Sequence, residues 1–186
     1  MLIPFRMSAQ TDEQLMQRAA NGSERAFEEL YNRHARRLQG FFVRRLADDK
    51  DLAADFMHDT FLRLYAAREN YVDGRNFRSW LYTIAYNLLK NHFRNQLTLV
   101  SDEHEDVVSD NNIDVNIDMN IFHNALREVL SHLPEPYAIL FSLHYEEELT
   151  IPQIAQSTAL AEGTVKSRLH KAMNTIKQQL KQYENK

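Results

Sequence analysis

The chain has 186 residues, 44% of them apolar and 26% charged, with a formal charge of −4. That is the make-up of a water-soluble globular protein with room for one ordinary domain or two small ones. It has no cysteine, which excludes disulfides and thiolate metal sites, and only four glycines and four prolines, so turns are few and helices many. No apolar run approaches the roughly 20 residues of a membrane span. The opening MLIPFRMSAQ lacks a basic-then-apolar signal pattern. A cytoplasmic protein with no membrane insertion is expected.

The net charge hides a division. Residues 1–96 hold 15 Lys and Arg against 12 Asp and Glu, residues 97–120 hold no cation against seven acids, and residues 121–186 hold seven of each. The acidity belongs to one segment, and the flanks are free to meet something anionic.

In chain order, the first 96 residues read as helices. Thr11 with Gln14 fits a capping box opening a helix that stops at Asn21-Gly22, and Ser23 can cap the next. In that second helix Phe27, Leu30, Tyr31, Leu38, Phe41, Phe42 and Leu46 follow a helical stripe, with Arg33, Arg36, Arg37, Arg44 and Arg45 mostly off it. A third helix is predicted from about Asp51 to Ala67. A loop, ENYVDGRN, follows with the turn signal Asp73-Gly74, and a fourth helix runs from about Phe77 to Gln96.

Residues 97–120 lack helical periodicity. Within them NIDVNIDMNI alternates apolar and polar residues as a strand would, but Asn and Asp are poor strand formers. Composition favours an extended, solvated, flexible linker, and an extended segment laid into a partner's groove is the alternative. Beyond it, Phe122, Leu126, Val129, Leu130 and Leu133 form one stripe ended by Pro134 and Pro136, and a helix follows from about Tyr137 to Tyr145. Thr150 and Gln153 make a second capping box, with Pro152 tolerated in the first turn. The fold class is therefore all-α: an N-terminal helical bundle over 1–96, an acidic linker over 97–120 and a second helical domain over 121–186.

Three stretches carry candidate interaction surfaces. In GTVKSRLHKAMNTIKQQL, Val165, Leu169, Ala172, Ile176 and Leu180 share a face, while Thr164, Ser167, Arg168 and Lys171 line another, flanked by Lys166, His170 and Lys177. A short capped helix, a turn and a longer helix with cations near its start is the layout of a helix-turn-helix, whose second helix enters the major groove. A solvated amphipathic helix is the plainer alternative. In NFRSWLYTIAYNLLKNHFRNQ, Arg78, Lys90 and Arg94 interleave with Trp80, Tyr82, Tyr86 and Phe93, a pattern suited to single-stranded DNA, although Trp80 and Phe93 fit a core as well. In DLAADFMHDTFLRLY, Ala53, Phe56, Met57, Thr60, Phe61 and Leu64 supply a core stripe, and Asp55, His58, Asp59 and Leu62 form the opposite one. A leucine among acids reads as a protein-binding patch with an apolar centre, or as a solvated face with a stray leucine.

Four stretches in order, DLAADFMHDTFLRLY, FRSWLYTIAYNLLKNHFR, LPEPYAILFSLHYEEELTIPQIA and GTVKSRLHKA, resemble a bacterial RNA polymerase sigma factor of the extracytoplasmic-function class. The resemblance covers about residues 10–96 and 121–182. It implies two helical domains on a flexible linker, no catalytic residue, no cofactor and no metal. The implied partners are core RNA polymerase, promoter DNA and an anti-sigma factor. Asp55, His58, Asp59 and, beside them, Leu62 match the polymerase-binding positions. Tyr71, Asp73, Arg75 and Asn76 of the loop, with Arg78, Trp80, Asn87, Lys90, Asn91 and Arg94 of the following helix, match the part that opens the −10 element and holds a flipped base. Thr164, Lys166, Ser167, Arg168, His170 and Lys171 match the reader of the −35 element. The chain departs from the family at His58, where Gln or another polar residue is usual, at Asn91, where Asp is frequent, and at Ala159 and Ala161, where Gly and a capping Ser or Pro are common. The acidic linker matches the segment that lies in the polymerase's positive channels.

Three rivals fit parts of the sequence. His58-Asp59, with His34 and His92, is a weak hint of a metal-dependent phosphohydrolase. A sigma-like decoy for an anti-sigma factor would keep the acidic stripe and lose the cations of the last helix. An ordinary helix-turn-helix regulator would not need the aromatic and basic helix.

Overall fold

The computed structural model describes residues 10–100, 128–130 and 132–184. The expectations for the first nine residues, for NIDVNIDMNI and for Phe122 and Leu126 lie outside the described residues. Those described are helices and turns, with no strand among them. They divide into two compact units, one holding the described residues up to Asn91 together with Gln156–Thr158, the other those from His92 to Ala155 and from Ala159 onward.

The first unit starts with α1 (Asp12–Ala20), opened by the predicted box: Thr11 Oγ1 accepts from the Gln14 amide and Gln14 Oε1 from the Thr11 amide. Leu15, Met16 and Ala19 face inward. Ser23 caps α2 (Glu24–Arg45), which buries Ala26, Leu30, Leu38, Phe41 and Phe42. Asp49 caps α3 (Lys50–Ala66), its carboxylate 2.9 Å from the Leu52 amide. The α2–α3 turn places Ala47 and Asp48 in the left-handed region, at φ 51° and 62°. The fourth helix, α4 (Phe77–Val100), continues past its predicted end at Gln96 and into the segment read as linker. Leu97, Leu99 and Val100 are adequate helix residues, and no glycine or proline lies between Gln96 and Val100.

One arginine overturns its predicted place. Arg45 is only 5% exposed. Its steps of three and four from Phe42 and Phe41 put it on the buried side of α2, so helical phase prevails over residue type.

Polar contacts fasten α1 to α2. Asp12 Oδ1 lies 3.1 Å from Arg33 Nη1, and Asp12 Oδ2 lies 2.7 Å from His34 Nε2. Arg33 also donates to Glu29 and to the Gln10 carbonyl. Burial pushes the Asp12 carboxyl up, but the hydrogen bonds and charges of His34 and Arg33 outweigh it and hold the group below the ordinary carboxylate value.

In the second unit Val129, Leu130 and Leu133 pack with Ala138 and Phe141 of α5 (Glu135–Phe141). Here Pro134 and Pro136 do more than end a stripe. Pro134 is the N-cap of α5 and Pro136 lies in its first turn, where a missing N–H costs nothing. A π-helical turn over Ser142–Glu146 follows, and the chain then reverses through Glu148 at φ 56°. The second predicted capping box, Thr150 with Gln153, opens α6 (Ile151–Thr158). Ala159 turns the chain in the left-handed conformation, at φ 56° and ψ 31°, and α7 (Glu162–Glu184) begins three residues later. Val165, Leu169, Ala172 and Ile176 are buried, as their spacing predicts, and Leu180 packs against the same core.

A left-handed alanine costs about 1–2 kcal/mol that glycine avoids, while glycine adds about 0.4–1 kcal/mol of unfolded-state entropy. Ala159→Gly is therefore expected to slow hydrogen exchange of the α6 and α7 amides about twofold to fivefold. Unchanged or faster exchange would show that the turn is unstrained. The Asp12 contacts contribute stability that is present above the ordinary aspartate value of 3.8 and lost as pH falls through the lower folded value. Asp12→Asn should lower stability by about 1–3 kcal/mol at pH 7, read by urea unfolding on Trp80 fluorescence. The gap from the wild type should then close below about pH 4. A gap constant from pH 7 to 3 would contradict this origin.

Candidate functional site

Three surfaces remain after the apolar stripes are buried. The first is on α3. Ala53, Met57, Thr60, Phe61 and Leu64 are buried, and the helical period turns Asp55, His58, Asp59 and Leu62 outward together. Asp55 and His58 are exposed, Asp59 is half-buried and Leu62 is 69% exposed. Asp59 Oδ1 accepts from Arg63 Nε at 3.0 Å, a bond that raises the Arg63 guanidinium above its ordinary value. Such a surface pair is worth about 0–1 kcal/mol, so a partner can take the carboxylate over at little cost. The His58 ring lies against Tyr31, centroids 6.3 Å apart.

The second surface is the loop before α4 together with that helix. The loop is held by its own atoms. The Tyr71 hydroxyl donates to the Arg75 carbonyl, the Arg75 amide to the Val72 carbonyl at 3.1 Å, and the Gly74 amide to the Asp73 carboxylate at 3.0 Å. Gly74 sits at φ 80°, which the turn requires. Tyr71 stacks on Trp80 with centroids 5.4 Å apart, and the Arg75 guanidinium lies 5.3 Å from the Trp80 ring centre. Burial, with the nearby charges of Glu13 and Asp73, pushes the Tyr71 phenol up to about 12.

Several residues expected at this surface are not exposed on it. Tyr71 and Trp80 are 6% and 7% exposed and cover each other, and Tyr82 is buried as well, so these rings present no open face for a base. Tyr71 lies in the loop against Trp80, and the first turns of α4 are buried nearly all round, which for Trp80 is the core alternative. Asn76 is engaged at both ends of its amide: Oδ1 accepts from the Ser79 amide at 2.8 Å, and Nδ2 donates to Glu13 Oε1 at 3.4 Å. It caps α4. What the loop exposes is Val72, Asp73 and Gly74, with Val72 at 65%. Val72 escaped the sequence reading, and its only signal was an apolar residue inside a turn motif. On α4, Asn87, Lys90, Asn91 and Arg94 are exposed along one side, while Arg78, Tyr86 and Phe93 are half-buried.

The third surface is the N-terminal half of α7. Lys166, Ser167, His170 and Lys171 are exposed, and Thr164 and Arg168 are half-buried beside them. Lys166 Nζ lies 4.0 Å from Glu162 Oε2, an exposed pair worth about 0–1 kcal/mol that a phosphate can displace, and the His170 ring is 3.0 Å from the Asn174 amide nitrogen. The helix N-terminus adds partial positive charge to the same end. Among the described residues no group of three or more His, Cys, Asp and Glu is gathered as metal ligands require. His34, one of the candidate ligands, is bound to Asp12.

Known proteins share this arrangement. The description of sigma-70 region 2 matches residues 30–98 and that of sigma-70 region 4 matches residues 123–176. The RNA polymerase sigma factor CarQ of Myxococcus xanthus is 27% identical over 91% of this chain and 97% of its own. The extracytoplasmic-function RNA polymerase sigma-E factor of Haemophilus influenzae is 26% identical over 91% of this chain and 95% of its own. The fold is that of CnrH, solved in complex with the cytosolic domain of CnrY, with a TM-score of 0.67 at 22% identity over 91% of this chain and 97% of the other. The sigma factor RpoE of Bartonella quintana, solved with the anti-sigma factor NepR, matches with a TM-score of 0.67 at 23% identity, over 83% of this chain and 96% of its own.

Two helical units in this order, with acids outward on α3 and cations outward on α7, define a promoter-directing subunit, and the chain belongs to the sigma-70 family. Within that family it is a sigma factor of the extracytoplasmic-function class, which directs core RNA polymerase to promoters.

Proposed function

We propose that three surfaces of this sigma factor divide the work. The α3 stripe of Asp55, His58, Asp59 and Leu62 grips core polymerase: the carboxylates attract a basic surface and Leu62 supplies the apolar centre. The loop over residues 71–76 meets the −10 element with Val72, Asp73 and Gly74 at its tip. Asn87, Lys90, Asn91 and Arg94 follow the separated strand along α4. The start of α7 enters the major groove of the −35 element, where Arg168 and Lys171 reach guanine edges or phosphates and Thr164, Ser167, Lys166 and His170 line the approach. The acidic segment that follows α4 joins the two bodies, and its seven acids suit a positively charged channel. The protein works by binding rather than catalysis, in the cytoplasm where polymerase and promoters are. By analogy with RpoE of Bartonella quintana, solved with the anti-sigma factor NepR, it is bound by an anti-sigma factor of its own.

The observation that carries this reading is the pairing in one chain of an outward acidic stripe with an apolar centre and an outward cationic helix start. Each is left exposed by a buried stripe of the same helix. A decoy would have no use for the second.

Two double variants test the division. Asp55→Lys with Asp59→Lys should abolish association with core polymerase and leave binding to a −35 duplex unchanged. Arg168→Ala with Lys171→Ala should do the reverse. It should weaken duplex binding about 10- to 100-fold and flatten its salt slope by about 0.9 for each phosphate no longer neutralised. If both variants keep both partners at wild-type helicity, the assignment of the surfaces is wrong.

A further inference from the structure

We infer that Glu13 of α1 is a positioning residue for the loop that meets the −10 element, an inference that rests on the proposed assignment of residues 71–76 to that element. α1 precedes both matched segments, which begin at residues 30 and 123. Its own sequence shows only an N-terminal cap.

The geometry gives it a further task. One carboxylate oxygen of Glu13 accepts from the Phe77 amide at 3.3 Å and from Asn76 Nδ2 at 3.4 Å. Phe77 and Asn76 form the junction at which the loop becomes α4. The Phe77 amide is among the first N–H groups of the helix, which have no partner within it. The far end of the Asn76 amide is tied to Ser79. Asn76 is thus held on both sides, by α4 and by α1, and cannot swing without breaking one of the two.

α1 is itself fixed, because the adjacent Asp12 binds Arg33 and His34 of α2. His34 in turn lies 5.1 Å, centre to centre, from the fully buried Phe77 ring. Two neighbouring acids in the first turn of α1 therefore join the frame of the bundle to the base of the loop. The loop closes on itself through Tyr71, Val72, Asp73 and Arg75, so its shape is its own. Its angle to the cationic side of α4 is set at Asn76 and Phe77. A strand that lies along α4 while one of its bases meets Val72 and Asp73 requires that angle to be fixed in advance, since a loosely supported site loses affinity to ordering costs. The negative charge of Glu13 at the start of α4 also interacts favourably with the positive end of its helix dipole.

The test uses the full chain with core polymerase on a duplex promoter. Three quantities are read: polymerase association, −35 duplex binding, and opening of the −10 element by permanganate reactivity of its thymines. Glu13→Ala should reduce opening about 10-fold and change the other two less than about twofold, the scale of one missing charge-assisted hydrogen bond. Glu13→Gln keeps the accepting oxygen and should recover opening to within about threefold of wild type. Wild-type opening in Glu13→Ala overturns the inference. So does a glutamine variant as poor as the alanine one, or an equal loss in all three readouts, which would mark a merely structural role. Val72→Ala and Asp73→Ala separate this from the underlying assignment. If they impair opening while Glu13→Ala does not, only the present inference fails. If they leave opening intact, the loop does not meet the −10 element and both fail.

Discussion

A helix that must bury one face has no choice about what its other face presents, and the interaction surfaces of this protein follow from that constraint. On α3, burial of Met57, Phe61 and Leu64 turns Asp55, His58, Asp59 and Leu62 to solvent. On α7, burial of Val165, Leu169, Ala172 and Ile176 does the same for Lys166, Ser167, His170 and Lys171. The magnitudes decide which face is in control. Each buried large apolar side chain is worth about 1.5–3 kcal/mol, and an exposed ion pair about 0–1. The fold is set by the stripes, and the charges stay available for partners.

The loop before α4 works differently. Its aromatic residues are spent on its own support: Tyr71 stacks on Trp80, and the Tyr71 hydroxyl closes the turn onto the Arg75 carbonyl. A loop built this way presents a tip of Val72, Asp73 and Gly74 that is already shaped in the free protein, so a partner meeting it has less ordering to impose. The turn between α6 and α7 is fixed less economically, with an alanine held in a conformation that suits glycine. The capping box at Thr150 and the buried stripe of α7 supply the stability that tolerates it.

Local chemistry was legible in the sequence wherever the cause is local. Both Thr–Gln boxes and the Ser23 cap need only residues three apart, and they form as the spacing predicts. The outward acids of α3 and the inward residues of α7 follow from period alone. The differences have several causes. Arg45 is buried because phase prevails over charge, and Pro136 starts a helix because the first turn needs no N–H from it. Trp80 and Tyr71 resemble base-stacking rings by type, and only the folded loop shows that they face each other. The contacts from Glu13 to Asn76 and Phe77 join residues more than sixty positions apart and leave no mark in either local pattern.

The central claim is that a gripping surface and reading surfaces on one chain together confer promoter choice on polymerase. Run-off transcription tests it most directly, with core polymerase, this protein free of any inhibitor, and a library of promoter fragments. The account predicts discrete transcripts that core polymerase alone does not make, each starting at a fixed distance downstream of shared −35 and −10 sequences. A transcript pattern identical with and without the protein would contradict it.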